Sequence, residues 1–93
     1  MTQNVLFVGY DFNGSVSDYK YAAYMRESPN TIAKVYVSNN LRDLKSYVYN
    51  IVAVSYPTAK CDVYYTDDVY VGDPIYKCWR EGNKTYSKTR KRR

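Results

Sequence analysis

Apolar and polar side chains alternate with a period of two over most of this chain. The alternating letters are largely β-branched or aromatic, a combination that fits a pleated, half-buried strand far better than a helix. Asn4 to Phe12 puts Leu6, Val8, Tyr10 and Phe12 on one face and Val5, Phe7 and Gly9 on the other. Asn13-Gly14 follows, a dipeptide suited to tight hairpin turns because both central residues accept positive φ. Val16 to Met25 alternates again, with Tyr19, Tyr21, Ala23 and Met25 opposite Lys20, Ala22 and Tyr24. Ser28-Pro29-Asn30 is turn chemistry, and Thr31 to Val37 alternates a third time. A three-stranded meander is the expectation.

Two periods compete over residues 38–56. Asn40 as a cap, with Leu41, Leu44, Val48 and Ile51 at helical spacing, argues for a helix. Tyr47 to Tyr56 is nearly all β-branched or aromatic and also alternates, which argues for a strand. The sequence therefore predicts a short helical turn over Leu41 to Lys45 followed by a strand, with a full helix over 41–52 as the alternative. Cys61 to Tyr65, Val69 to Val71 and Ile75 to Trp79 read as further strands, with turns at Gly72-Asp73-Pro74 and Gly82-Asn83.

The fold class that follows is mainly β: a small antiparallel SH3-like or open barrel with at most one short helix. An α+β arrangement, an antiparallel sheet with one helix over 41–52, is the alternative. Ninety-three residues suffice for one modest core and no more. Residues 1–84 are expected to form that single β-rich domain.

Residues 85–93 read as a flexible basic tail, since they lack aliphatic anchors. The formal charge of +5 is divided unevenly. Residues 1–76 hold six basic and eight acidic side chains, whereas residues 77–93 hold eight basic ones and Glu81. A mildly acidic body with a basic end calls for an anionic partner.

Chemistry is limited by what is missing. The chain has no histidine, so imidazole-based triads and general bases are excluded. Cys61 and Cys78 are too few for a structural zinc site without imidazole help, and are expected to remain thiols. Asp43-Leu44-Lys45 has the carboxylate-x-lysine spacing of metal-dependent nucleases, but no Pro-Asp precedes it and a solvated helical or turn surface is the better explanation. Asp62, Asp67, Asp68 and Asp73 lack the glycine and ligand spacing of a calcium loop. No cofactor, metal or catalytic residue is assigned, and the chain is read as a non-enzyme.

Binding is what the letters favour. Thirteen tyrosines exceed what one small core can hold, so several should be exposed, and exposed tyrosine gives large contact area at low rotamer cost. Tyr19, Tyr21, Tyr24 and Trp79 are the candidate protein-contact residues. Lys77, Arg80, Lys84, Lys88, Arg90, Lys91, Arg92 and Arg93 are the candidate nucleic-acid contacts, with Tyr76, Trp79 or Tyr86 available to stack on a base. The longest apolar stretches, Val5–Val8 and Ile51–Val54, are far too short to span a bilayer and nothing resembles a signal peptide, so a cytoplasmic protein with no membrane partner is expected. A homodimer is permitted by open sheet edges.

The succession Asp18-Tyr19-Lys20-Tyr21, then Val35-Tyr36-Val37, then Tyr49 to Tyr56 resembles small barrel proteins encoded by bacteriophages, in which a Tyr-x-Tyr strand precedes a valine-rich one. The Gly-Asp turn usual before the valine-rich strand is absent here. The resemblance implies an accessory or inhibitor protein that docks on a protein of the host nucleic-acid machinery, such as a polymerase, nuclease or defence complex. The alternatives are a direct nucleic-acid binder using the basic C-terminus, and a small metal-dependent nuclease or ribonuclease toxin.

Overall fold

The computed structural model describes residues 4–26, 33–67 and 73–90. Among these, six strands and one helix follow in the order β1 (Val5–Phe7), β2 (Tyr21–Arg26), β3 (Lys34–Ser38), α1 (Leu41–Val54), β4 (Lys60–Tyr65), β5 (Tyr76–Glu81) and β6 (Lys84–Thr89). The fold is mainly β. All strands pair antiparallel in one sheet of order β1-β3-β2-β4-β5-β6, which is open, with β1 and β6 at its edges. The turns expected at Ser28-Pro29-Asn30 and Gly72, and the strand at Val69 to Val71, lie outside the described residues.

The first expected hairpin does not form. β1 pairs with β3, so β3 lies between β1 and β2. The reason is local: Ser15 and Asp18 make a capping box, in which Ser15 N donates to Asp18 Oδ2 (2.9 Å) and Ser17 N donates to Ser15 Oγ (3.3 Å). That box winds Val16–Asp18 into a 3-10 turn where alternation alone suggested strand. Gly14, at φ 109°, still supplies the positive dihedral expected of it, but within a wide connection.

Residues 47–54 are the second difference, because the helix runs unbroken from Leu41 to Val54. Asn40 caps it, its side chain accepting from Asp43 N at 3.1 Å. Leu44, Val48 and Val52 then fall on one stripe and are fully buried. Each buried side chain of this kind contributes about 1.5–3 kcal/mol. The β-branched letters yield to tertiary packing, since one face of the sheet needs a cover and an i, i+4, i+8 stripe provides it.

Register sorts the sheet into two faces, because residues directly opposite on neighbouring strands share a side. On the helix side one row crosses all six strands: Phe7, Tyr36, Ala23, Val63, Tyr76 and Thr89. The adjacent row carries Met25, Cys61, Cys78 and Ser87. Of these, Tyr36, Ala23, Val63, Tyr76, Met25, Cys61 and Cys78 pack with Leu44, Val48 and Val52 as the core, while Phe7, Ser87 and Thr89 on the edge strands are exposed.

Thr85–Thr89 belongs to this sheet and not to a tail. β6 pairs with β5 along its whole length, and Arg90 N donates to the Ile75 carbonyl at 2.9 Å. Backbone ladder bonds, the contact of Lys45 Nζ with Thr89 Oγ1 (3.4 Å) and Tyr86 packing on Trp79 hold the segment without aliphatic anchors. Gly82, at φ 64°, makes the β5–β6 turn.

Candidate functional site

The sheet face opposite α1 divides into two halves. Toward β1 it is apolar, with Leu6, Val37 and Ala22 in one row and Val35 and Tyr24 in the next. Toward β6 it is basic and aromatic. One row there runs Arg26, Lys60, Trp79, Tyr86, and the next Tyr24, Asp62, Lys77, Lys88. Glu81 and Lys84 pair beyond them.

Five cations, Arg26, Lys60, Lys77, Lys84 and Lys88, therefore share this face with two carboxylates, Asp62 and Glu81. Among the described residues cations outnumber carboxylates on this face, with Asp73 and Arg90 at its border included. Lys60, Asp62, Lys77, Trp79 and Lys88 line a concavity of about 410 Å³. Lys77 and Lys88 also wall a second one of about 250 Å³ with Asp73, Pro74 and Arg90.

The rings on this face are ordered against one another. Trp79 and Tyr86 stack with centroids 5.7 Å apart and planes 22° from parallel. Trp79 Nε1 donates to Glu81 Oε2 at 3.1 Å, which fixes the indole. Tyr24 and Tyr64 meet edge to face at 5.8 Å. Burial, and then the charge of Asp62, push the Tyr64 hydroxyl above its ordinary pKa.

Of the residues expected from sequence to bind, Tyr24, Trp79, Lys77, Lys84 and Lys88 come together here. Tyr21 does not: it lies on the helix side, its ring 5.3 Å from Tyr65. Tyr19 follows the 3-10 turn, half-buried, 6.1 Å from Phe12. Arg80 points the other way from Trp79. Its Nη1 donates to the Ser55 carbonyl at the end of α1 and its Nε to the Gly82 carbonyl (2.7 Å), so its charge is committed to the scaffold. Arg90 borders the second concavity, while Lys91, Arg92 and Arg93 lie outside the described residues.

Period two already separates Arg80 from Lys77 and Trp79 by parity, and it places Lys84, Tyr86 and Lys88 together. Lys60 and Tyr64 join the face only through strand order. No local letter pattern reveals them.

Two other constellations do not converge. Asp43 accepts from Asn4 Nδ2 near β1, whereas Lys45 reaches β6 and sits 5.1 Å from the Tyr76 ring centroid. Among the described residues no three Cys, Asp or Glu side chains gather as metal ligands. Cys61 and Cys78 are free, buried and directly opposite each other beneath α1. The hydrogen bond with Cys78, together with burial, pushes the Cys61 thiol well above its ordinary pKa.

Among the described residues no helix is long and apolar enough to cross a membrane. No known protein family matches this chain, and neither a curated protein nor a solved structure does. What the fold and the site define is an antiparallel sheet with a helix behind it and a basic, aromatic face in front.

Proposed function

We propose that the protein is a non-enzymatic binding module that holds nucleic acid on the open face of its sheet. The opposition of Lys77 and Lys88 across β5 and β6, beside the stacked Trp79 and Tyr86, carries this reading. Like charges placed directly opposite cost stability, and a bound phosphate relieves that cost. Nearby rings add base contact. The divergence of Asp43 and Lys45 gives the nuclease reading no support.

Titration of the full chain with nucleic acid at rising salt tests it. Affinity should fall linearly in log–log form, with a slope of about −0.9 per neutralised phosphate on duplex or about −0.7 on a single strand. Lys77→Glu should weaken binding, while Arg42→Glu on the exposed side of α1 should not. Absence of salt-dependent binding rejects the proposal.

A second reading, docking on a protein of the nucleic-acid machinery, draws on the other sheet edge. There Leu6 is 43% and Phe7 52% exposed, and with Tyr10 they line a concavity of about 490 Å³. The resemblance to phage-encoded accessory proteins gives that reading its setting. Capture of a host protein that Phe7→Asp abolishes and Lys77→Glu spares would favour it.

A further inference from the structure

We infer that the occupant of the open face is a single-stranded nucleic acid, with one unpaired base stacked on the outer side of Tyr86 and its flanking phosphates held by Lys84 and Lys88. This rests on the nucleic-acid reading above and narrows it to one form of ligand.

The ring stack has one open end. One face of Trp79 is taken by Tyr86, and its N–H is committed to Glu81. Tyr86 stands on β6, the edge strand, so among the described residues no neighbouring strand covers the outer side of its ring, and the residue is 39% exposed. Adding a third ring there continues an existing stack. An unpaired base has a free π-face to give; a base inside a duplex has both faces covered by its neighbours.

The charges are arranged around that same ring. Lys84, Tyr86 and Lys88 occupy alternate positions of one strand and so point to one side, their backbone positions about 7 Å apart. A cation thus precedes and follows the ring along the strand. Lys77 and Arg90 thicken the positive end next to Lys88. This is a track along a sheet edge. Of the elements that can enter a duplex groove, the helix is packed behind the sheet, away from this face.

An acidic protein surface would satisfy the lysines but has no need of the open ring. The chain's single tryptophan is Trp79, so its fluorescence reports events at the stack. The experiment titrates the full chain, at fixed moderate salt, with an oligothymidylate of about 15 nucleotides, with a duplex of the same length, and with poly-glutamate. Tyr86→Leu, which keeps apolar bulk without a π-face, is run beside wild type, and Tyr86→Trp serves as the variant that should retain binding. Circular dichroism checks that each is folded.

The expected result is quenching of Trp79 by the single strand, at least about tenfold tighter binding of it than of the duplex, and about a tenfold loss on Tyr86→Leu restricted to the single strand. Equal affinity for the two nucleic acids, or an unchanged single-strand affinity in Tyr86→Leu, overturns the inference while leaving the broader nucleic-acid reading standing. Binding of neither nucleic acid, or of poly-glutamate as tightly as the single strand, overturns both.

Discussion

Lys77 on β5 and Lys88 on β6 stand directly opposite each other on the same side of the sheet. Such a pair works against the fold, by up to about 1 kcal/mol, and Asp62 across from Lys77 offsets only part of it. Lys88→Glu should therefore leave the melting temperature unchanged or raise it, while lowering nucleic-acid affinity about tenfold. Thermal unfolding and titration on the same preparation check the two halves. A variant that loses both stability and affinity would show that Lys88 serves the scaffold.

Arg80 behaves in the opposite sense. Its guanidinium holds the Ser55 and Gly82 carbonyls, tying the end of α1 to the β5–β6 turn. Arg80→Met should cost about 1.5–3 kcal/mol of stability, the range for hydrogen bonds from a charged donor. Nucleic-acid affinity and its salt slope should not move. Denaturant unfolding and a salt titration separate these effects.

Much of the strand placement was legible in the letters. The alternation over Thr31–Val37, Cys61–Tyr65 and Ile75–Trp79 overlaps β3, β4 and β5, and the Asn40 cap marks the start of α1. Two segments misled for physical reasons. Ser15 and Asp18 divert the chain after Asn13-Gly14, so the strand before that turn pairs with β3 instead of its sequence neighbour. Tyr47 to Val54 has strand propensity but lies over a sheet whose apolar face it must cover. The candidate site was partly legible: its basic and aromatic letters over residues 77–88 stand out, whereas β6 was read as tail, and Lys60 and Tyr64 depend on β4 lying beside β5, a long-range fact no local pattern carries. The tail misled because an edge strand can be held by its ladder and a few side-chain contacts.

The helix α1 is held by its N-cap and by the side chains it buries. Leu44 is fully buried against the sheet, and Leu44→Ala should cost about 2–5 kcal/mol. Asn40→Ala, which removes the cap on Asp43 N, should cost about 1 kcal/mol. Were residues 41–54 extended, removing an N-cap would have no helix to weaken, so an unaltered helical signal and midpoint in Asn40→Ala would count against α1.

Cys61 and Cys78 should be protected from alkylation. Both lie beneath α1, and the thiol of Cys61 is held up by its hydrogen bond with Cys78 and by burial. Labelling must wait for the sheet to open locally, so native protein should react at least about a hundredfold more slowly than unfolded chain. Mass-resolved labelling with and without denaturant measures the ratio, and rapid modification of folded protein would place the thiols outside the core.

Tyr76 makes the fold sensitive to alkali. Burial, reinforced by Cys78 and Tyr49 nearby and opposed by its hydrogen bond with Ser87, pushes its hydroxyl from 10.0 up to about 12. The folded state thus favours the neutral phenol more than the unfolded chain does. That contribution is complete below the unfolded value near 10 and drains away as pH rises through about 12, because the unfolded chain gives up its proton first. Wild-type stability, followed by denaturant midpoint, should fall across this window. Tyr76→Phe removes the ionisable group while keeping the ring beside Lys45, so its midpoint should fall less steeply over the same interval. Parallel curves for the two proteins would mean that another group governs alkaline unfolding.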